Sequence, residues 1–265
     1  MRRGAGLGAA LACEALKARR SRVPVAVALG FSLMPAVAAL FMVILEDPER
    51  ARDWGLISAK AHLFAGTADW PTFLAVIAQG VAVGGLLLFA VVAAWIFGRE
   101  FSDRTVKNLL AVPTPRGATV AAKLLVTAGL GALVSAWVVA LGLALGAAIG
   151  LPGGDAGTLA AGLLRIGLVA LLSIALTTPV ALAASAGRGY LAPLAFALST
   201  LFLAQIVAAT GWGEWFPWSV PALYSGAAGP EAAAMGPASF LLVAAVSALG
   251  AALTAWWWRS ADQTT

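Results

Sequence analysis

The chain has little charge and almost no cysteine or histidine. Of its 265 residues only 11% are Asp, Glu, Lys or Arg, against roughly a quarter in an ordinary soluble domain. Hydrophobic residues make up 61%, and a water-soluble fold cannot expose that much apolar surface without associating. The lone Cys13 excludes a disulfide within one chain and any multi-cysteine metal motif. His62, the single histidine, has no neighbouring His or Cys and reads as a loop residue, so no metal site is expected. A GxxxxGK(S/T) phosphate loop is missing, which argues against nucleotide hydrolysis by this chain. No catalytic residue is expected: paired aspartates, a His–Glu zinc constellation and a Ser–His pair at membrane depth are all lacking. The apolar runs also carry essentially none of the carboxylates, lysines or histidines that usually relay protons or coupled ions, which disfavours an antiporter.

What the chain does have is long apolar runs. About 20 such residues cross a ~30 Å hydrocarbon layer as a helix. The runs are apolar on every face, unlike the alternating strands of a membrane barrel. The expected fold is all-α, with six spans at Val23–Leu45, Thr72–Phe97, Ala118–Ile149, Leu159–Ala186, Leu191–Thr210 and Pro237–Trp258. The third and fourth exceed the required length and should tilt or protrude. No small-residue cleavage site follows the basic N-terminus, so the first span is expected to stay.

Charge placement sets an expected topology. All lysines and arginines except Arg50, Arg52, Lys60 and Arg165 fall on one side if both termini lie in the cytoplasm. That is the positive-inside pattern. Glu46, Asp47, Glu49, Asp53, Asp69, Asp155, Glu214 and Glu231 fall on the other side. The net charge of +5 is therefore topological and gives no reason to expect nucleic acid. Abundant Ala and Gly hint at a GC-rich bacterial coding sequence, and the expected location is the bacterial cytoplasmic membrane.

Residues 1–22 read as a cytoplasmic interfacial segment. Leu7, Leu11 and Ala15 share a helix face, and Lys17, Arg19, Arg20 and Arg22 crowd its end near anionic headgroups. A simple basic topogenic signal explains the charges equally well. Trp54 and Trp70 suit an outer aromatic belt, and Trp256, Trp257 and Trp258 an inner one. Residues 211–224, with Trp212, Trp215, Trp218 and two prolines, read as either a re-entrant external segment or an interfacial anchor. Gly80–Gly84 and Gly142–Gly146–Gly150 provide small residues at helical spacing, for close packing first and substrate access second. Gln79, Ser135 and Gln205, with the three external tryptophans, are the candidates to line a pathway. Residues 259–265 form a short cytoplasmic tail.

The densest island of charge runs from Gly98 to Lys123, between spans two and three. As one helix over Gly98–Val112 it places Glu100 with Arg104 and Asp103 with Lys107 at i, i+4. Phe101, Thr105, Leu109 and Val112 form a less polar row, and Pro113 and Pro115 end the helix before Arg116. Such a helix suits docking into a soluble partner; a loop whose charges only enforce topology is the alternative.

The run from Glu100 to Arg116, followed by Lys123, resembles the signature E-(F/Y)-x-x-x-T-x-x-x-L-(L/S)-x-x-P-x-x-R of type-2 ABC exporter permeases, in particular the bacitracin and lantibiotic-immunity branch. Phe216-Pro217-Trp218 with Pro221 is similar to that family's external segment before the last span. The resemblance implies a half-transporter: two permease chains, identical or related, each bound to a separate cytoplasmic ATPase that carries the ATP and magnesium. It implies a coupling helix at about 98–113, with Glu100, Phe101, Asp103, Arg104, Thr105, Lys107, Leu109 and Arg116 at the ATPase junction. The substrate expected is an amphipathic antibiotic, peptide or lipid. A non-transporting scaffold or sensor that recruits a cytoplasmic partner through residues 98–123 is the alternative; an adjacent reading frame with a phosphate loop would favour the exporter.

Overall fold

A computed structural model of the chain describes residues 3–47, 67–226 and 235–260. Trp54, His62 and the rest of 48–66, together with Glu231 and residues 261–265, lie outside them. Every regular element described is helical, and six helical stretches are long and apolar enough to cross a membrane. A helix α1 (Arg3–Arg20) precedes span one, α2 (Val23–Glu46). The face of α1 turned towards the spans is Ala10–Glu14–Ala18, with Leu7, Leu11 and Ala15 only half-buried beside it.

Span two, Trp70–Ser102, is the most buried of the six and forms the hub. Its 33 residues would extend roughly 50 Å as helix, well beyond the hydrocarbon layer. It is built from α3 (Trp70–Gly80), a π-helical turn over Val81–Gly85, and α4 (Leu86–Ser102). The Asp69 carboxylate caps its N-terminal end by accepting from the Thr72 amide at 2.9 Å. A short α5 (Val106–Ala111) follows, and α6 (Arg116–Ile149) is span three.

Small residues let spans one to three close up. Gly80 faces the Met34 side chain, a Cβ on Gly142 would stand 2.7 Å from Ile77 Cδ1, and one on Gly146 would stand 2.6 Å from the Trp70 ring. These are close packing positions within one chain. Gly84 and Gly150 are not: Gly84 makes only ordinary contact, and Gly150, at φ +78°, is the left-handed cap that ends α6.

Span four is α7 (Ala156–Ala175) followed after one residue by α8 (Thr177–Ala186). The break lies just ahead of Pro179, which cannot donate to the ladder. Hydroxyls take up the slack: Thr177 donates to the Ile174 carbonyl at 2.7 Å and Thr178 to the Ser247 carbonyl of span six, also at 2.7 Å. Spans five and six are α9 (Leu191–Ala209) and α11 (Pro237–Ser260).

Between them the chain turns at Gly211 and ends in α10 (Val220–Ser225). Val220 is fully buried and shares an apolar cluster with Leu86 of span two, Leu176 of span four and Val243 of span six. Leu86 lies halfway along span two, so this segment penetrates well inside the bundle, and α10 rests against the π-helical turn. Two of the tryptophans expected in the belts are buried, while Trp256 is exposed and Trp257 half-buried. Trp70 is buried against Phe73, and Trp258 is fully buried, donating to the Ser185 hydroxyl at 2.9 Å; both are core residues.

Candidate functional site

Sequence reasoning expects one helix from Gly98 to Val112, and the structure corrects this. α4 stops at Ser102 and a separate α5 begins at Val106. Arg104 sits in the left-handed region at φ +57°. The Thr105 amide donates to the Glu100 carbonyl at 2.8 Å and the Arg104 amide to Phe101 at 3.2 Å. That bond pair, closed over a left-handed residue, is a Schellman stop, normally signalled by glycine. The expected pairs therefore do not form: among the described residues no ion pair joins Glu100 to Arg104 or Asp103 to Lys107. The left-handed turn costs an L-residue roughly 1–2 kcal/mol, so Arg104→Gly should raise the unfolding free energy by about 1 kcal/mol. A chemical or thermal melt in detergent checks this; a loss of stability would show that the guanidinium itself holds the turn.

The break divides the candidates. Asp103, Arg104, Thr105 and Lys107 stand exposed, while Val106 is buried and Leu109 half-buried. Phe101 turns inward, with ring centroids 5.9 Å from both Trp257 and Trp258 at the end of span six. Arg116 reaches the same helix end, its Nη1 donating to the Trp258 carbonyl at 3.3 Å, where a cation suits the helix dipole.

Glu100 is only 2% exposed and belongs to a buried network assembled from three elements. Lys123, at 0% exposure on span three, places Nζ 2.8 Å from Glu100 Oε2, 3.3 Å from Glu14 Oε2 and 2.7 Å from the Ile96 carbonyl. Arg99 binds Glu14 at 2.5 Å, approaches Glu100 Oε1 at 3.4 Å and lies 4.6 Å over the Trp95 ring. Lys17 of α1 bridges Glu14 at 2.7 Å and Glu100 at 2.9 Å. Burial alone would lower the Lys17 pKa, but hydrogen bonds and charge from Glu14 and Glu100 outweigh it and hold the ammonium above the ordinary lysine range. Two carboxylates thus sit among three cations, tying α1 to spans two and three.

Sequence reasoning missed Glu14. Its signal is that it is the one acidic residue ahead of Glu46, set at i, i+4 between Ala10 and Ala18, where small neighbours permit close approach. The six pathway candidates are not drawn into one cluster. Ser135 lines a groove of about 400 Å³ between spans three and four, its hydroxyl donating to Gly131 at 2.8 Å. Gln79 is half-buried and Gln205 exposed. Trp212 and Trp215 lie on the surface, and Trp218 turns in to meet Phe196 edge-on at 5.8 Å. No group of three or more His, Cys, Asp or Glu is placed to hold a metal among the described residues.

This arrangement is a bundle of six apolar helices with an exposed polar step beside a buried ionic knot. Its sequence is similar to the bacitracin transport permease protein BCRB of Bacillus licheniformis, 29% identical over 186 residues that cover 67% of this chain and 85% of that one. Residues 10–204, which take in the second half of α1, the ionic knot, the step, spans one to four and most of span five, match the model of the ABC-2 family transporter proteins. A bundle of six apolar helices carrying that match belongs to the ABC-2 family, as a multi-pass permease subunit of an ABC transporter.

Proposed function

We propose that this subunit forms half of an export pathway and takes its energy from a separate cytoplasmic ATPase that docks on residues 103–112. In this reading α1, the 102–116 connection and both termini face the cytoplasm, as the lysine and arginine distribution favours. The observation that carries the proposal is the exposed step itself. Asp103, Arg104 and Thr105 on the left-handed turn and Lys107 on the short helix behind it stand exposed around buried Val106, and the step joins the end of span two to the start of span three. A load on such a step passes into two spans together.

A second permease chain completes the pathway. Gln205 supports this, since a carboxamide on an exposed helix face within the membrane is costly against lipid and acceptable against a partner or water. The substrate class is an amphipathic antibiotic, peptide or lipid, and the bacitracin transport named for the relative favours a peptide antibiotic.

Reversing three charges together, Asp103→Lys, Arg104→Glu and Lys107→Glu, tests the docking. The variant should insert normally and lose most co-purification of the ATPase, with export lost in parallel. Unchanged co-purification and export would overturn the assignment.

A further inference from the structure

The flank of α1 beside the ionic knot borders a second feature. An apolar slot of about 500 Å³ opens between α1, the start of span one and span three. Leu11 and Ala15 form one wall, Val25 another, and Leu125, Gly129 and Leu133 the floor. From Leu125 to Leu133 the floor runs roughly 12 Å, less than half of the ~30 Å hydrocarbon layer, so the slot stays within one leaflet. Its only charged lining residue is Arg19. Arg20 and Arg22 follow, all three are exposed, and none makes an ion pair among the described residues.

We infer that this slot is a binding site for an anionic phospholipid of the leaflet on α1's side, one acyl chain lying along span three and the phosphate meeting Arg19, Arg20 and Arg22. The occupant must combine a hydrocarbon tail with negative charge at one end, because the slot combines an apolar trough with the exposed cation of Arg19, followed in the chain by exposed Arg20 and Arg22. A second copy of the chain does not supply that combination. Among the described residues on α1's side, Glu14 and Glu100 are committed to the buried knot, and Asp103 is the one exposed carboxylate. The inference goes beyond the proposed export role and does not depend on the ATPase.

The test uses the full chain in nanodiscs doped with phosphatidylglycerol or phosphatidylcholine, each bearing the same photoactivatable acyl chain. The phosphatidylglycerol probe should label residues 11–15 and 125–133 preferentially. Arg19→Gln, Arg20→Gln and Arg22→Gln should reduce that preference by about fivefold per arginine removed. Gly129→Leu should block labelling by both probes with the melting midpoint unchanged, because a Cβ at Gly129 meets no atom within 4 Å. Equal labelling by the two headgroups, or labelling indifferent to Gly129→Leu, would overturn the site. So would cross-linking of the slot to a second copy instead of to lipid.

Discussion

Glu100→Ala should cost about 3–5 kcal/mol of stability, the range for removing one partner from a buried ion pair. The expense comes mainly from what remains. Lys123 has no exposed surface and Glu100 Oε2 is its shorter carboxylate contact, so truncation leaves an ammonium with Glu14 at 3.3 Å and one carbonyl. Arg99 and Lys17 each lose a contact as well, and Glu14 would then face three cations alone. Lys123→Met should be similarly harmful, because it leaves Glu100 in the same low-dielectric surroundings. The double variant Glu100→Ala with Lys123→Met should be markedly less destabilised than the sum of its parts, since it withdraws one charge of each sign. A double-mutant cycle on melts in detergent measures this. Additive single effects would mean that the two groups do not sense each other.

Gly98→Val is the second substitution expected to be severe. A Cβ at residue 98 would stand 2.8 Å from the Gly189 carbonyl oxygen and 3.1 Å from its carbon, with Tyr190 Cδ1 also at 3.1 Å. Main chain cannot swing aside as a side chain does. At Gly80 the obstruction is the flexible end of Met34, so alanine there should be tolerated far better. Overpacking typically costs about 1–3 kcal/mol, and a backbone obstruction places Gly98→Val at or above the top of that range. Valine adds two further methyls beside a turn whose Arg188 already holds φ +51°. The yield of monodisperse protein and its melting midpoint report the effect; a Gly98→Val chain as stable as the parent would mean that the two segments part without penalty.

The spans were legible because crossing a membrane is a demand that each helix meets alone. Hydropathy over some 20 residues is a local property, and the expected Leu191–Thr210 and Pro237–Trp258 differ from the observed helices only at their ends. The ionic knot was largely illegible for the converse reason. Glu14 and Lys123 stand 109 residues apart, and no local pattern announces that they meet. Glu100 was legible as a motif member but not as a buried group, because i, i+4 spacing assumes a helix that continues. The helix stops at Ser102, and the left-handed position that closes it holds Arg104 where glycine is the usual marker. The π-helical turn over Val81–Gly85 left as its only trace a pair of glycines that reads equally well as packing.

That turn determines where span two yields. From Leu86 to Ser102 the helix is an unbroken beam of roughly 25 Å, clamped at one end by the buried charges. At its other end the regular i→i−4 ladder gives way to the wider π pattern, and α10 rests on that point. A beam held firmly at its foot deflects where its section is most compliant. A sideways load on Ser102 is therefore expected to bend span two at the π-helical turn, where α10 is seated.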